Sequence, residues 1–206
     1  DRGQVRCYSG ALGTGLAATP LWTSNGTQDN AQYGFSVAGA GDLNGDVYSD
    51  LAVGEPYYGT TTPLVRGRVS IFHGTGASLS LNGTREGQLS NNHFGYAVSA
   101  AGDMNGDGYG DLVIGSHLYS QGYLNEGRAV VYLGSAGGLE ATSVWGVLGG
   151  ATNRRLGYGV SGAGDVDGDG YGDVVVGVPE YSSCQSREGR ALVFMGVQDR
   201  PRQART

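Results

Sequence analysis

Apolar residues fall along this chain in short runs that recur. Leu51-Ala52-Val53-Gly54, Leu112-Val113-Ile114-Gly115 and Val174-Val175-Val176-Gly177 form one series. Val69-Ser70-Ile71-Phe72, Val130-Val131-Tyr132-Leu133 and Leu192-Val193-Phe194-Met195 form a second, each with an aromatic residue near its end. The runs are too short for helices and are bounded by glycine and acids, so they predict strands. The first series is apolar at consecutive positions, which predicts strands buried on both faces. Pro20-Leu21-Trp22-Thr23 and Ser143-Val144-Trp145 are less regular and predict outer strands. No amphipathic helical period is visible.

These runs belong to a longer repeat. Tyr33-Gly34-Phe35-Ser36-Val37, Phe94-Gly95-Tyr96-Ala97-Val98 and Leu156-Gly157-Tyr158-Gly159-Val160 open three units. Each continues through Gly/Ala-Ala-Gly-Asp, an acidic loop, the first apolar run, and a Gly-Arg-Val/Ala element at Gly67, Gly127 and Gly189. A related Gly3-Gln4-Val5-Arg6-Cys7-Tyr8 precedes them, and the loop-to-loop period is 61 and then 62 residues. The expected organisation is one domain: a partial blade at 1–32, full repeats at 33–93 and 94–155, and a repeat at 156–206 lacking a clear last strand. Strands at this period predict an all-β fold of β-propeller blades, each of about four antiparallel strands. A parallel β-helix is the structural alternative, with shorter repeats. Roughly three and a third units cannot close a ring of about 4–8 blades. The ring is therefore expected to be completed by other segments or other chains, or else to stay open with exposed edges.

Charge sharpens the picture. The net charge is −6, and ten of the 19 carboxylates lie in three nine-residue windows, 42–50, 103–111 and 165–173. Such crowding is repulsive unless something neutralises it, and three divalent cations would cancel the net charge. All 13 basic residues are arginine and none forms a run, which argues against nucleic acid as a partner. No apolar run approaches the ~18–20 residues that span a bilayer. The chain opens on Asp1, which reads as a mature or excised segment. Cys7 and Cys184 fit one disulfide or two free thiols.

The windows read Asp42-Leu43-Asn44-Gly45-Asp46-Val47-Tyr48-Ser49-Asp50, Asp103-Met104-Asn105-Gly106-Asp107-Gly108-Tyr109-Gly110-Asp111 and Asp165-Val166-Asp167-Gly168-Asp169-Gly170-Tyr171-Gly172-Asp173. Carboxylates or Asn stand at positions 1, 3, 5 and 9. With the position-7 carbonyls of Tyr48, Tyr109 and Tyr171 they make hard oxygen sets suited to Ca²⁺, which takes about 6–8 oxygens; Mg²⁺ demands stricter geometry. An EF-hand would need a Glu at position 12 and flanking helices; here that position is Val53, Ile114 or Val176. Ordinary Asx turns use the same residues, but three copies in register favour Ca²⁺. The third loop has four carboxylates and is expected to bind tightest. The first carries Val47 where φ > 0 is expected, and should bind weakest.

These motifs resemble the FG-GAP repeat, found in the β-propeller of integrin α chains, in glycosylphosphatidylinositol-specific phospholipase D and in bacterial surface proteins and lectins. The resemblance covers residues 33–196 and rests on Phe94-Gly95, Gly177-Val178-Pro179, Gly54-Glu55-Pro56 and the acidic loops; Gly115-Ser116-His117 lacks the proline. It implies structural calcium on one propeller face, a partner site on the opposite face, and an extracellular or cell-surface location.

The leading function is thus a calcium-stabilised adhesion or protein-interaction module. A carbohydrate-binding propeller, or a non-catalytic accessory domain of a secreted hydrolase, is the alternative. The partner is a protein or a glycan. No nucleophile–base pair points to catalysis, and His73, His93 and His117 share no spacing of a metal cluster. Glu126 with Arg128 and Glu188 with Arg190 are expected as ion pairs within blades. Tyr57, Tyr58, Tyr119, Tyr123 and Tyr181 are expected to pack between blades, with recognition as their other reading. Asn25 and Asn82 head glycosylation sequons.

Overall fold

The computed structural model describes residues 2–11, 15–59, 65–197 and 202–203. Among them there are strands and no helix. A partial unit holds β1 (Gln4–Cys7), β2 (Gly10–Ala11), β3 (Gly15–Leu16) and β4 (Trp22–Asn25). The first blade holds β5 (Ser36–Gly41), β6 (Asp50–Glu55), β7 (Arg68–Gly74) and β8 (Leu79–Glu86). The second holds β9 (Ala97–Gly102), β10 (Asp111–Ser116), β11 (Arg128–Tyr132) and β12 (Trp145–Leu148). The third holds β13 (Val160–Gly164), β14 (Asp173–Val178), β15 (Arg190–Met195) and the two-residue β16 (Arg202–Gln203). Each blade is an antiparallel meander in chain order, whereas β1 pairs only with β4 and β2 only with β3. These are propeller blades, as the pattern predicts. The outer strands β4 and β12 each begin two residues later than the segments read from sequence, at Trp22 and Trp145.

The middle strand β10 buries both faces because a blade stands on either side, whereas β14 leaves Val175 and Gly177 partly exposed. Leu112 and Ile114 of β10 join Val69 and Ile71 of the first blade in one core cluster. Val113 between them joins Val174, Val176 and Phe194 of the third blade in another. Alternation along a strand thus feeds two cores rather than one core and solvent. Burying each such side chain contributes about 1.5–3 kcal/mol. Trp22 meets Phe72 edge-on, with centroids 4.8 Å apart, and Trp145 meets Phe194 at 4.6 Å, so outer-strand indoles clamp the next blade.

The seam between blades also explains the Gly-Arg motif. Gly67 has φ 79° and Gly127 φ 78°, a conformation that favours glycine. A Cβ on either would overlap the backbone of the residue that opens the next blade, Phe94 or Leu156. Gly3 presses on Tyr33 in the same way, which marks β1 as a third strand.

The recurring glutamates have a different role from the expected ion pairs. Glu126 accepts backbone N–H groups of Gln121 (3.1 Å), Gly122 (2.8 Å) and Tyr123 (3.3 Å), and Glu188 caps Ser183, Cys184 and Gln185 likewise. Both carboxylates close their own loop because the glycine after them turns the chain away from the arginine. The arginines stack on tyrosines instead: Arg68 lies 3.6 Å from the ring centre of Tyr58, Arg128 5.2 Å from Tyr119 and Arg190 4.5 Å from Tyr181. Only the first blade places a carboxylate opposite its arginine. There Glu55, fully buried, takes Nε of Arg68 at 2.9 Å and Nη2 at 2.8 Å, while Ser116 and Val178 hold the same register in the later blades. Arg68→Met strands a buried charge and is expected to cost about 3 kcal/mol. Urea denaturation checks it, and the double variant with Glu55→Met should recover most of the loss.

Candidate functional site

Each acidic loop joins an inner strand to the second strand of its blade: β5 to β6, β9 to β10, β13 to β14. The position-1 Asp organises the turn. Asp42 Oδ1 accepts Gly45 N at 2.7 Å and Asp46 N at 3.1 Å, and its Oδ2 accepts Val47 N at 2.8 Å. Asp103 and Asp165 repeat this pattern. The position-9 Asp pins the loop to the blade. Asp50 accepts Leu43 N and Gly74 N, both at 2.9 Å. Asp111 accepts Met104 N at 2.7 Å and Gly134 N at 2.9 Å, and Asp173 accepts Val166 N at 2.6 Å and Gly196 N at 2.9 Å. All three position-9 carboxylates are buried. Burial raises Asp50 above the ordinary carboxylate range and takes Asp111 up to about 7.

Position 3 separates the loops. Asn44 Nδ2 donates to Asp46 Oδ2 at 2.9 Å, which holds Asp46 low, and Asn105 Nδ2 donates to Asp107 Oδ2 at 2.9 Å. The third loop has Asp167 there, with no amide to donate. Desolvation and the Asp169 charge push Asp167 up. Oxygens of Asp165, Asp167 and Asp173 lie within 4.8 Å of one another. Three hard oxygen donors converging without a counter-charge fit a divalent cation. Val47 has φ 70°, against 89° at Gly108 and 93° at Gly170, and is 86% exposed, so its side chain gains nothing for the strain. Val47→Gly is expected to stabilise the chain by about 1 kcal/mol, read as a rise in Tm; a fall would show that Val47 is unstrained.

His73 follows Phe72 in β7, with Nδ1 3.2 Å from Asn44 Nδ2, where the later blades have Leu133 and Met195. His93 and His117 meet in space, centroids 5.3 Å apart, although no sequence spacing joins them.

They lie at the other end of the inner strands. Phe35, Tyr96 and Tyr158 each immediately follow the glycine of their opening motif. Phe35 and Tyr96 are 4.8 Å apart, and Tyr96 and Tyr158 5.0 Å. His117 lies 3.9 Å from Tyr96, and Tyr57 4.5 Å from His93. Phe35 is 46% and Tyr158 43% exposed. Desolvation and the Tyr158 hydrogen bond push the Tyr96 phenol up to about 12, and burial pushes His117 down to about 4. At neutral pH this is an uncharged aromatic platform. Sequence reasoning did not single it out; the signal was an aromatic residue at the same motif position in all three units.

Both free thiols are separate: Cys7 is half-buried in β1 and Cys184 is exposed. Asn25 and Asn82 are exposed on outer strands.

Four-stranded meander blades, each with an acidic loop between its first two strands and stacked through glycine seams, define an acidic-loop type of propeller repeat. The FG-GAP repeat description matches residues 33–72, 94–132 and 156–194, and this chain belongs to that family. It is 36% identical over 182 residues to integrin alpha-PS2 of Drosophila melanogaster, covering 80% of this chain and 12% of that protein. It is 34% identical to integrin alpha-2 of Bos taurus (85% and 15%) and 33% identical to integrin alpha-6 of Homo sapiens (71% and 12%). The chain therefore spans 12–15% of the length of these relatives.

Proposed function

We propose that this chain is part of an extracellular adhesion module, braced by calcium and presenting its aromatic platform to a protein partner. One observation carries the reading: the acidic loops and the platform cap opposite ends of the same three inner strands. Similarity to integrin α chains supports the adhesion class and the cell-surface setting. Calcium would be held by Asp42, Asn44, Asp46, Tyr48 and Asp50, by Asp103, Asn105, Asp107, Tyr109 and Asp111, and by Asp165, Asp167, Asp169, Tyr171 and Asp173, the tyrosines through their carbonyls. When bound, the cation neutralises the repelling carboxylates and fixes the hairpin. The third loop binds tightest on charge and the first weakest on strain; calorimetry on single-loop variants ranks them. The platform offers flat aromatic area at low entropic cost, the kind of surface that anchors protein interfaces.

The test uses the full-length protein at a cell surface. Phe35→Ala with Tyr158→Ala is expected to reduce cross-linked partner by tenfold or more, with folding and calcium response unchanged. Undiminished cross-linking would place the partner elsewhere.

A further inference from the structure

The three acidic loops touch. Gly110 N, at position 8 of the second loop, donates to the Asp42 carbonyl of the first at 2.7 Å. Gly172 N of the third loop donates to the Asp103 carbonyl of the second, also at 2.7 Å. The position-7 ring completes each contact. Tyr109 lies against Gly45, so that a Cβ there would overlap its ring, and Tyr171 covers Gly106 in the same way. No acidic loop follows the third among the described residues, and a Cβ at Gly168 would meet nothing within 4 Å. Among the described residues no acidic loop precedes Tyr48, and its ring lies against Gly76 of its own blade.

Each contact joins one loop's positions 7 and 8 to the preceding loop's positions 1 and 4. Position 1 is the Asp that organises the turn, and position 4 is a glycine held at φ 77° in the first loop and 74° in the second. The residue that closes one loop thus also braces the next one back along the chain. We propose that Tyr109 and Tyr171 are positioning residues that couple the cation loops in series, so that filling the third favours the second and filling the second favours the first. Coupling is reciprocal, because linkage requires it. The inference rests on the calcium reading above.

At position 7 only the backbone carbonyl is a candidate ligand, so side-chain changes leave each loop's own donor set intact. The experiment is a calcium titration of the intact chain followed by ¹H–¹⁵N NMR, reading the amides of Gly45, Gly106 and Gly168. Tyr171→Ala is expected to raise the half-saturating calcium at Gly106 about tenfold and leave Gly168 within twofold. Tyr109→Ala should do the same to Gly45 and spare Gly168. Tyr171→Phe keeps the ring and should titrate like the unmodified chain, which separates coupling from misfolding. Equal weakening at all three glycines, or none at the preceding loop, overturns the coupling. Absence of any response to millimolar calcium in the unmodified chain overturns the calcium reading itself.

Discussion

Replacing Asp111 by asparagine is expected to lower stability by about 3 kcal/mol in calcium-containing buffer at neutral pH. The carboxylate is fully buried and accepts two backbone N–H groups, from Met104 and Gly134. An amide can accept only one of them and turns a donor toward the other. For a chain of this size the loss corresponds to about 6–12 °C in Tm. A change below about 1 kcal/mol would show that the pin is dispensable. The pH dependence has a definite sign. Asp111 titrates at about 7 in the fold against an ordinary 3.8, so the folded state binds its proton more tightly. Stability from this group is therefore fully present at low pH and declines as pH rises from about 4 to 7. In EDTA the gap between the unmodified chain and Asp111→Asn should narrow across that window. Acid loss from His117, held near 4 in the fold, is common to both proteins and cancels.

Calcium is expected to have the larger effect. At a hundredfold excess over Kd, each filled site adds about 2.7 kcal/mol by mass action. Three sites together should raise Tm by on the order of 20 °C relative to EDTA. Magnesium at the same concentration should shift it by only a few degrees, because it holds its own waters and demands octahedral geometry. The same melt read by circular dichroism and by tyrosine fluorescence tests whether the whole chain responds together. Equal shifts with both ions would contradict a calcium-selective site, and no shift would make the loops plain Asx turns.

Much of this was legible in the residues. The strands β6, β10 and β14 and the acidic loops announce themselves because consecutive apolar residues between acids have few other folds. The outer strands were harder. They bury one face at most, and β8 has Gly83 where Trp22 and Trp145 stand in its counterparts, with a register shift beside it. Glu126 was misread because a spacing of two residues suggests a pair to Arg128, whereas Gly127 at φ 78° sends the two side chains apart. The aromatic platform was invisible because its members stand 61 and 62 residues apart. Only the stacking of blades brings them within 5 Å.

The glycine seam between blades has a consequence for how such a protein can change. Gly67 and Gly127 meet the following unit through main chain, so this contact itself records almost nothing about the side chains on either side. A unit can then be duplicated, replaced or redecorated without a matched substitution at the joint itself, provided its glycine and the core side chains that meet the neighbouring blade are kept. The surfaces that face other molecules are free to diverge while the axle stays standard, and a single methyl group at the seam would do more harm than many exchanges on the rim.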